Sequence, residues 1–287
     1  MADKEKVIIF AALTGAGTLK AKCPALPTTP EEIAEDAYQC WKAGAAVVHL
    51  HMRDDDTMPT MDPEKYVQTV TLLREKYPDC DVVINCTSSG TVKPIPDEAR
   101  YAHFYRPEIR DLIEMGSFDA GTMNWNYGSI FNNNPQLLEA LAKCYKECDV
   151  VPEYEIFDTG MIDNVNHLIK TGQVDPNIFC QIVLGVGGGS QNTVENLFHL
   201  VQNLPPTAKW SAFGCGSGQL PIMYAALAMG ADGIRVGLED AIWYGKGVPA
   251  TNPMFVERAV RVIKEFGKRP ATPAEAREIL GVKPLVR

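Results

Sequence analysis

Two histidines one residue apart, His49 and His51, close the apolar segment VVHLHM (47–52). In an extended strand alternate side chains share a face, so both imidazoles point the same way. Two neutral imidazoles converging on one point suit Zn²⁺, and a third ligand should end another strand. His103 falls in an irregular stretch, and His167 and His199 fall in helices, whereas Glu239 ends GIRVGLED (233–240). Two histidines and a glutamate leave one position open, as a catalytic zinc requires. The plainer alternative is a hydrogen-bonded histidine pair near a rim. Arg235, Gly237 and Glu239 alternate onto one face of the same segment. A guanidinium there is costly unless paired. Asp240 would point the other way in a perfect strand, and could curl back to Arg235 if the strand ends there. A purely structural ion pair is the competing account.

Other segment ends are polar as well. The third offers Thr87-Ser88-Ser89-Gly90 and the fourth Gly121-Thr122-Met123-Asn124. Their hydroxyls and amide could hydrogen-bond a bound oxygen, although each alone is ordinary turn chemistry. Glu153 and Glu155 share a face of VPEYEIFD (151–158), so at least one is expected inward. A buried carboxylate there needs a partner, an arginine or a group beside the metal. Two glycine-rich loops, Gly185-Val186-Gly187-Gly188-Gly189-Ser190 and Gly214-Cys215-Gly216-Ser217-Gly218-Gln219, each lead into a helix. Neither is a phosphate-binding fingerprint. Free amides at such helix starts can hold an anion such as phosphate, with tight turns as the plain alternative.

The elements that must position these residues repeat as strand, loop, helix. The strands are expected at 7–13, 47–52, 81–87, 118–125, 151–158, 178–185, 209–215 and 233–240, each apolar or β-branched and bounded by Gly, Pro, Asp or Asn. TPEEIAEDAYQCWKAG opens with Thr29 as cap, Pro30 at the first turn and Glu31 and Glu32 behind it. DPEKYVQTVTLLREKYP, NPQLLEALAKCYKEC, SQNTVENLFHLVQNLP and NPMFVERAVRVIKEFG follow the same plan. Between Pro96 and Met115 two prolines predict an irregular loop with a shorter helix. Eight such units predict one α/β domain over 1–287, a (β/α)8 TIM barrel, with an extra C-terminal helix at 272–281 that covers the barrel or meets another copy. In that architecture active sites lie at the C-terminal ends of the strands.

Composition narrows the partners. The chain has 287 residues, 46% of them hydrophobic and 22% charged, enough for a sizeable core. A formal net charge of -9 disfavours nucleic acid. The apolar run Val7–Leu13 is too short for a signal core, and no apolar stretch reaches ~18 residues, so no membrane span and a cytoplasmic location are expected. Eight scattered cysteines without a CxxC pair read as reduced thiols.

Three blocks, AGAAVVHLHMRDDD (43–56), PEYEIFDTGMI (152–162) and RVGLEDAIW (235–243), followed by ERAVRVIKEFGKRPATPAEAREIL, resemble the β-keto acid cleavage enzymes over essentially the whole chain. The resemblance implies a zinc-bound (β/α)8 barrel, often a homotetramer, that condenses a β-keto acid with acetyl-CoA to give acetoacetate and a new acyl-CoA. It implies His49, His51 and Glu239 as zinc ligands and Arg235 with Asp240 as the dyad that deprotonates the substrate. It matches Thr122 to a threonine of the family site. The family's catalytic serine falls at Thr87 or its neighbour Ser88. Two departures stand out. Gly17 occupies the place of a glutamate suited to a substrate amine, and Gly216 and Ser217 stand where bulkier basic residues are common. Both favour a neutral or bulkier substrate side chain.

Chemistry without the family points the same way. A β-keto acid can chelate Zn²⁺ through its keto and carboxylate oxygens, and the metal then acts as a Lewis acid. Arginine could serve as a base only with strong help from Asp240. A zinc hydrolase is the rival, but the related HxH barrels carry that pair on the first strand and further histidines later. A Schiff-base aldolase would need a lysine at a strand end, and none is present. A catalytically inactive metabolite-binding barrel is the non-enzyme alternative.

Overall fold

The computed structural model describes residues 5–91 and 93–285, so the domain expected over 1–287 runs past the described residues at both ends. Eight parallel strands close on themselves: β1 (Lys6–Ala12), β2 (Val47–Leu50), β3 (Val83–Cys86), β4 (Met115–Asp119), β5 (Val151–Ile156), β6 (Phe179–Leu184), β7 (Lys209–Gly214) and β8 (Gly233–Val236). Each pairs with its neighbour in sequence, and β8 pairs back onto β1, with Phe10 opposite Arg235. This is a (β/α)8 barrel. The short strand Arg269–Pro270 is added beside the start of β1.

Helices α1 (Pro30–Ala43), α2 (Pro63–Lys76), α3 (Pro135–Cys148), α4 (Thr159–Lys170), α5 (Val194–Asn203), α6 (Gln219–Ala228) and α7 (Asn252–Glu265) ring the barrel, and α8 (Pro273–Leu280) follows. Their starts are chemically specified. Thr29 and Glu32 form a full capping box on α1, and Thr272 and Glu275 form another on α8. The eight cysteines are all free. Among the described residues, no helix is long and apolar enough to cross a membrane.

Two expectations need correction. Among its described residues the third connection contains no α-helix, only two 3-10 turns, Asp97–Arg100 and Ala102–Tyr105, because Pro96 and Pro107 bracket a stretch too short to propagate one. The fourth strand lies at Met115–Asp119 rather than 118–125. Met123–Trp125 belongs to a separate hairpin with Ser129–Phe131. The chain turns at Ala120-Gly121, so two extended pieces of similar composition do different jobs.

The barrel interior is layered by the two-residue period of its strands. Ile8, Phe10, Val47, Val83, Met115 and Phe179 fill the N-terminal end. Ala276 and Leu280 of α8 pack on that layer, so the tail helix covers the floor of the barrel. A buried ion cluster fastens it. Glu114 accepts from Arg277 Nε at 2.6 Å and from Arg74 Nη2 at 3.2 Å. Removing the shared anion leaves two nearly buried guanidiniums uncompensated. Glu114→Ala is expected to cost about 3 kcal/mol or more. Thermal denaturation reads this as a drop of several degrees, and an unchanged midpoint would show that α8 is held by apolar packing alone.

Candidate active site

One step above the floor the inward residues become polar: His49, Asn85, Ser117, Glu153, Gln181 and Ser211, all buried. Asn85 Nδ2 donates to Glu153 Oε2 at 2.5 Å, and Ser211 Oγ donates to Gln181 Oε1 at 2.6 Å. A further step up, at the C-terminal ends, stand His51, Thr87, Asp119, Glu155 and Arg235. They open onto a cavity of about 330 Å³.

Three ligand atoms converge on that cavity. His49 Nε2 and His51 Nε2 lie 3.1 Å apart, and Glu239 Oε1 lies 3.8 and 3.4 Å from them. Ligands at zinc's usual ~2.0–2.1 Å in a tetrahedral array stand ~3.4 Å from one another, which these spacings bracket. The donors are also in the right form. Burial pushes His49 down to about 3, so its imidazole is neutral. Burial raises Glu239, but Arg235, His51 and His49 outweigh it and hold the carboxyl well below its ordinary range. Glu239 Oε2 is buried with no hydrogen-bond partner, while His49 Nδ1 faces away from the triad toward Glu153 Oε2 at 3.9 Å. The residues therefore fit a divalent ion. His49, Glu153 and Glu155 form a second group close enough to share one. The first group is favoured because Glu239 and both histidines line the cavity and Glu153 does not.

The strand-to-loop turn after β8 makes the convergence possible. Extended structure ends at Val236, and the chain turns through Gly237 with φ of 149°. A Cβ there would sit 1.9 Å from Ala12 O, so only glycine fits. The turn brings both Glu239 and Asp240 back onto Arg235. Its backbone is pinned by Asn252, whose Oδ1 accepts from Leu238 N at 2.7 Å. Asn252 Nδ2 in turn donates to Leu13 O and to Asp36. Gly15, in the loop after β1, packs directly on Glu239; a side chain there would meet Glu239 Cγ at 2.4 Å. Arg53, buried in the HLHMR block, donates to Gly15 O at 2.5 Å and to Thr18 O at 2.8 Å, stitching that loop down.

Arg235, only 3% exposed, is ringed by carboxylates. It makes a two-pronged contact with Asp240, Nε to Oδ2 at 3.0 Å and Nη2 to Oδ1 at 2.8 Å. Nη1 donates to Glu155 at 3.0 Å and Nη2 to Glu239 at 2.6 Å. The Phe213 ring lies 4.3 Å from the guanidinium carbon. Burial opposes the charge, yet Asp240, Glu239 and Glu155 hold the guanidinium well above its ordinary value. Burial pushes Asp240 up to about 6 and Glu153 to about 7, and lifts Glu155 well above the carboxylate range.

The cavity is walled by Trp125, Ile130, Phe131, Phe157, Val183 and Phe213, with Ala16 and Gly17 on the β1 side. Of the residues singled out in the sequence, His49, His51, Glu239, Arg235, Asp240, Glu155, Thr87 and Gly17 come together there. Ser88 does not line the cavity: its hydroxyl donates to Ser117 O at 2.6 Å behind the strand. Thr122 also lies off the cavity, accepting from Asn133 N at 2.9 Å, because β4 ends before it. Asn124 is exposed on the hairpin, and its carbonyl is packed on Gly188. Gly187 exchanges two hydrogen bonds with Asn126, so Gly187 and Gly188 back the wall rather than line it. Gly216 N donates to Asp240 O at 2.8 Å, and Ser217 sits in the 3-10 turn that opens α6. Both brace the site from outside. Asp119 went unread in the sequence. It is 2% exposed at the end of β4, lines the cavity, and has its Oδ2 without a partner. The alternation Met115, Ser117, Asp119 carries the signal once the strand is started three residues earlier.

A family model described as beta-keto acid cleavage enzyme matches residues 6–282. The 3-keto-5-aminohexanoate cleavage enzyme of Acetoanaerobium sticklandii is 38% identical over 279 residues, 97% of this chain and 99% of that protein. The 3-dehydrocarnitine:acetyl-CoA trimethylamine transferase of Rhizobium meliloti is 35% identical over 295 residues, 96% of each. Among solved structures, the apo structure of ObcA superposes with a TM-score of 0.79 at 23% identity, covering 90% of this chain and 66% of that one, a likeness of fold.

Proposed function

Because the chain belongs to the beta-keto acid cleavage enzyme family, we propose that it exchanges acyl groups between a β-keto acid and acetyl-CoA, with zinc held by His49, His51 and Glu239. The balanced reaction is R–CO–CH2–COO⁻ plus CH3–CO–SCoA giving CH3–CO–CH2–COO⁻ plus R–CO–SCoA. The observation that carries the reading is the meeting, in one cavity, of the three converging ligand atoms and the carboxylate-ringed Arg235.

A bound zinc ion would polarise the substrate's keto and carboxylate oxygens as a Lewis acid. The protein's own groups do the rest. The Arg235–Asp240 pair takes the acidic proton between the two carbonyls. Three carboxylates within 3.0 Å oppose loss of a proton from Arg235, so the accepting atom is a carboxylate oxygen of Asp240. Glu155 holds the far prong of the guanidinium and fixes its plane. The resulting enolate carbon attacks the acetyl thioester. That attack breaks the carbon–sulfur bond and expels CoA thiolate, whose sulfur adds to the distal carbonyl. The carbon–carbon bond then breaks to leave R–CO–SCoA, and the proton held by Asp240 returns to the carbon of the departing acetoacetate. Thr87 and Ser89 both line the cavity, and Thr87 Oγ1 donates to Ser89 Oγ at 2.9 Å, so this hydroxyl pair would donate, through Ser89, to a carbonyl oxygen as it gains charge. Trp125, Phe131, Phe157 and Phe213 give the cavity apolar walls, which would disfavour water beside the thioester.

Gly17 puts no carboxylate on the β1 side of the cavity, and Trp125, Ile130 and Phe131 supply apolar surface opposite. Both support a neutral substrate tail. A homotetramer in the cytoplasm is the assembly and location that go with this reading.

The test is to incubate the protein, with its metal content measured, with acetyl-CoA and β-keto acids bearing cationic, neutral and anionic tails. Acetoacetate followed by mass spectrometry should form fastest with neutral tails. A stoichiometrically metallated protein that makes none with any tail would sink the proposal.

A further inference from the structure

The cavity is far smaller than coenzyme A, so on the reading above the nucleotide end of acetyl-CoA must lie outside it. Three residues beyond Asp240, a distance of at most about 11 Å along the chain, stands Trp243, 55% exposed. It begins a hairpin in which Trp243–Gly245 pairs antiparallel with Val248–Pro249. Lys246 occupies the tip between Gly245 and Gly247. Helix α7 sends two arginines to the same hairpin. The Arg258 guanidinium lies 3.4 Å from the centre of the Tyr244 ring and donates to Tyr244 O. Arg261 Nη2 donates to the Tyr244 hydroxyl at 2.7 Å.

Among the described residues, none of Lys246, Arg258 and Arg261 forms an ion pair with a carboxylate, and Glu257 on the same helix pairs with neither arginine. In a chain of net charge -9 this is an uncompensated cationic patch. Tyr244 senses it: the hydrogen bond from Arg258, aided by the charges of Arg258 and Arg261, holds its phenol below its ordinary value despite some burial. The hairpin thus offers an exposed indole at Trp243 and, at its tip and at the neighbouring Tyr244, cations with free donors, the two kinds of group a purine nucleotide bearing several phosphates needs.

We propose that the Trp243–Pro249 hairpin and the adjoining face of α7 form a nucleotide subsite for the adenosine 3′-phosphate 5′-diphosphate end of acetyl-CoA. Trp243 stacks on adenine, and Lys246 and Arg261 contact the phosphates. Arg258 and Tyr244 hold the hairpin against the helix. The proposal rests on the acyl-exchange reading, since it names where that reaction's thioester substrate is anchored.

Two measurements test it. Calorimetric titration with adenosine 3′,5′-bisphosphate should show binding to the wild type, weakened at least tenfold in Lys246→Glu/Arg261→Glu and in Trp243→Ala. In steady state the same variants should raise KM for acetyl-CoA at least tenfold with kcat within twofold. Their loss with S-acetylpantetheine should be at least tenfold smaller than with acetyl-CoA. No binding of the bisphosphate to wild type, equal binding to wild type and variants, or an unchanged KM for acetyl-CoA would each overturn the subsite. A wild type that binds the bisphosphate but turns over no acetyl-CoA would instead overturn the acyl-exchange reading.

Discussion

Glu239→Gln is expected to strip the protein of its metal and to lower kcat/KM by about 10³-fold, roughly 4 kcal/mol of lost stabilisation in the transition state. The substitution keeps the size and the backbone of the turn, including the bond from residue 239 N to Ala12 O. It removes the charge that makes the oxygen facing His49 and His51 a ligand. Two neutral imidazoles alone hold zinc weakly, because three protein donors are the norm for a catalytic site. Arg235 keeps Asp240 and Glu155, so the fold should survive, and the thermal midpoint in chelator should change little. Metal content per chain by mass spectrometry, measured alongside acetoacetate production, checks both halves. A variant that keeps full metal and full activity would show that Glu239 serves Arg235 rather than an ion.

How much of this can be read from the chain alone differs by residue. His49 and His51 are legible because strand alternation is local: the pair needs no partner strand to be placed on one face. The return of Asp240 to Arg235 is legible as a requirement, since a buried guanidinium demands an anion. The turn through Gly237 that satisfies it depends on close approach to Ala12, which no local pattern reveals. The fourth strand marks the limit most clearly. Ser117, Asp119, Met123 and Trp125 all lie in extended backbone, but a turn at Ala120-Gly121 divides barrel from hairpin. Reading the two as one strand promotes Thr122 and Asn124 and hides Asp119. Ser88 and Thr87 illustrate the same point at finer scale. Adjacent residues face opposite ways, and which one faces the cavity follows from the phase of β3. The floor of the barrel lies further beyond reach. Glu114 meets Arg277 across 163 positions of sequence, and no periodicity carries information over that span.

Arg235 gives the second large effect, and its contrast with Glu239 separates the two roles. Arg235→Ala should lower kcat/KM by about 10²–10⁴-fold, the usual worth of a positioned proton-transfer group, because Asp240 loses the two-pronged contact that positions it. It also leaves Glu155, Glu239 and Asp240 facing one another in a buried space without their cation. Breaking such a cluster costs about 3–5 kcal/mol, so the metal-free variant should melt well below wild type. The metal should behave in the opposite way from Glu239→Gln. Arg235 competes for Glu239 Oε1, donating to it at 2.6 Å. Without that competitor, and with extra negative charge nearby, the triad should bind a divalent cation at least as tightly as before. Added zinc should then recover much of the lost thermal midpoint without recovering activity. Arg235→Lys adds a control, because it keeps the charge but cannot reach three carboxylates with a planar fork. It should fold near normally and remain slow. Loss of metal together with activity in Arg235→Ala would place this arginine in support of the ion rather than of Asp240, the proton's acceptor.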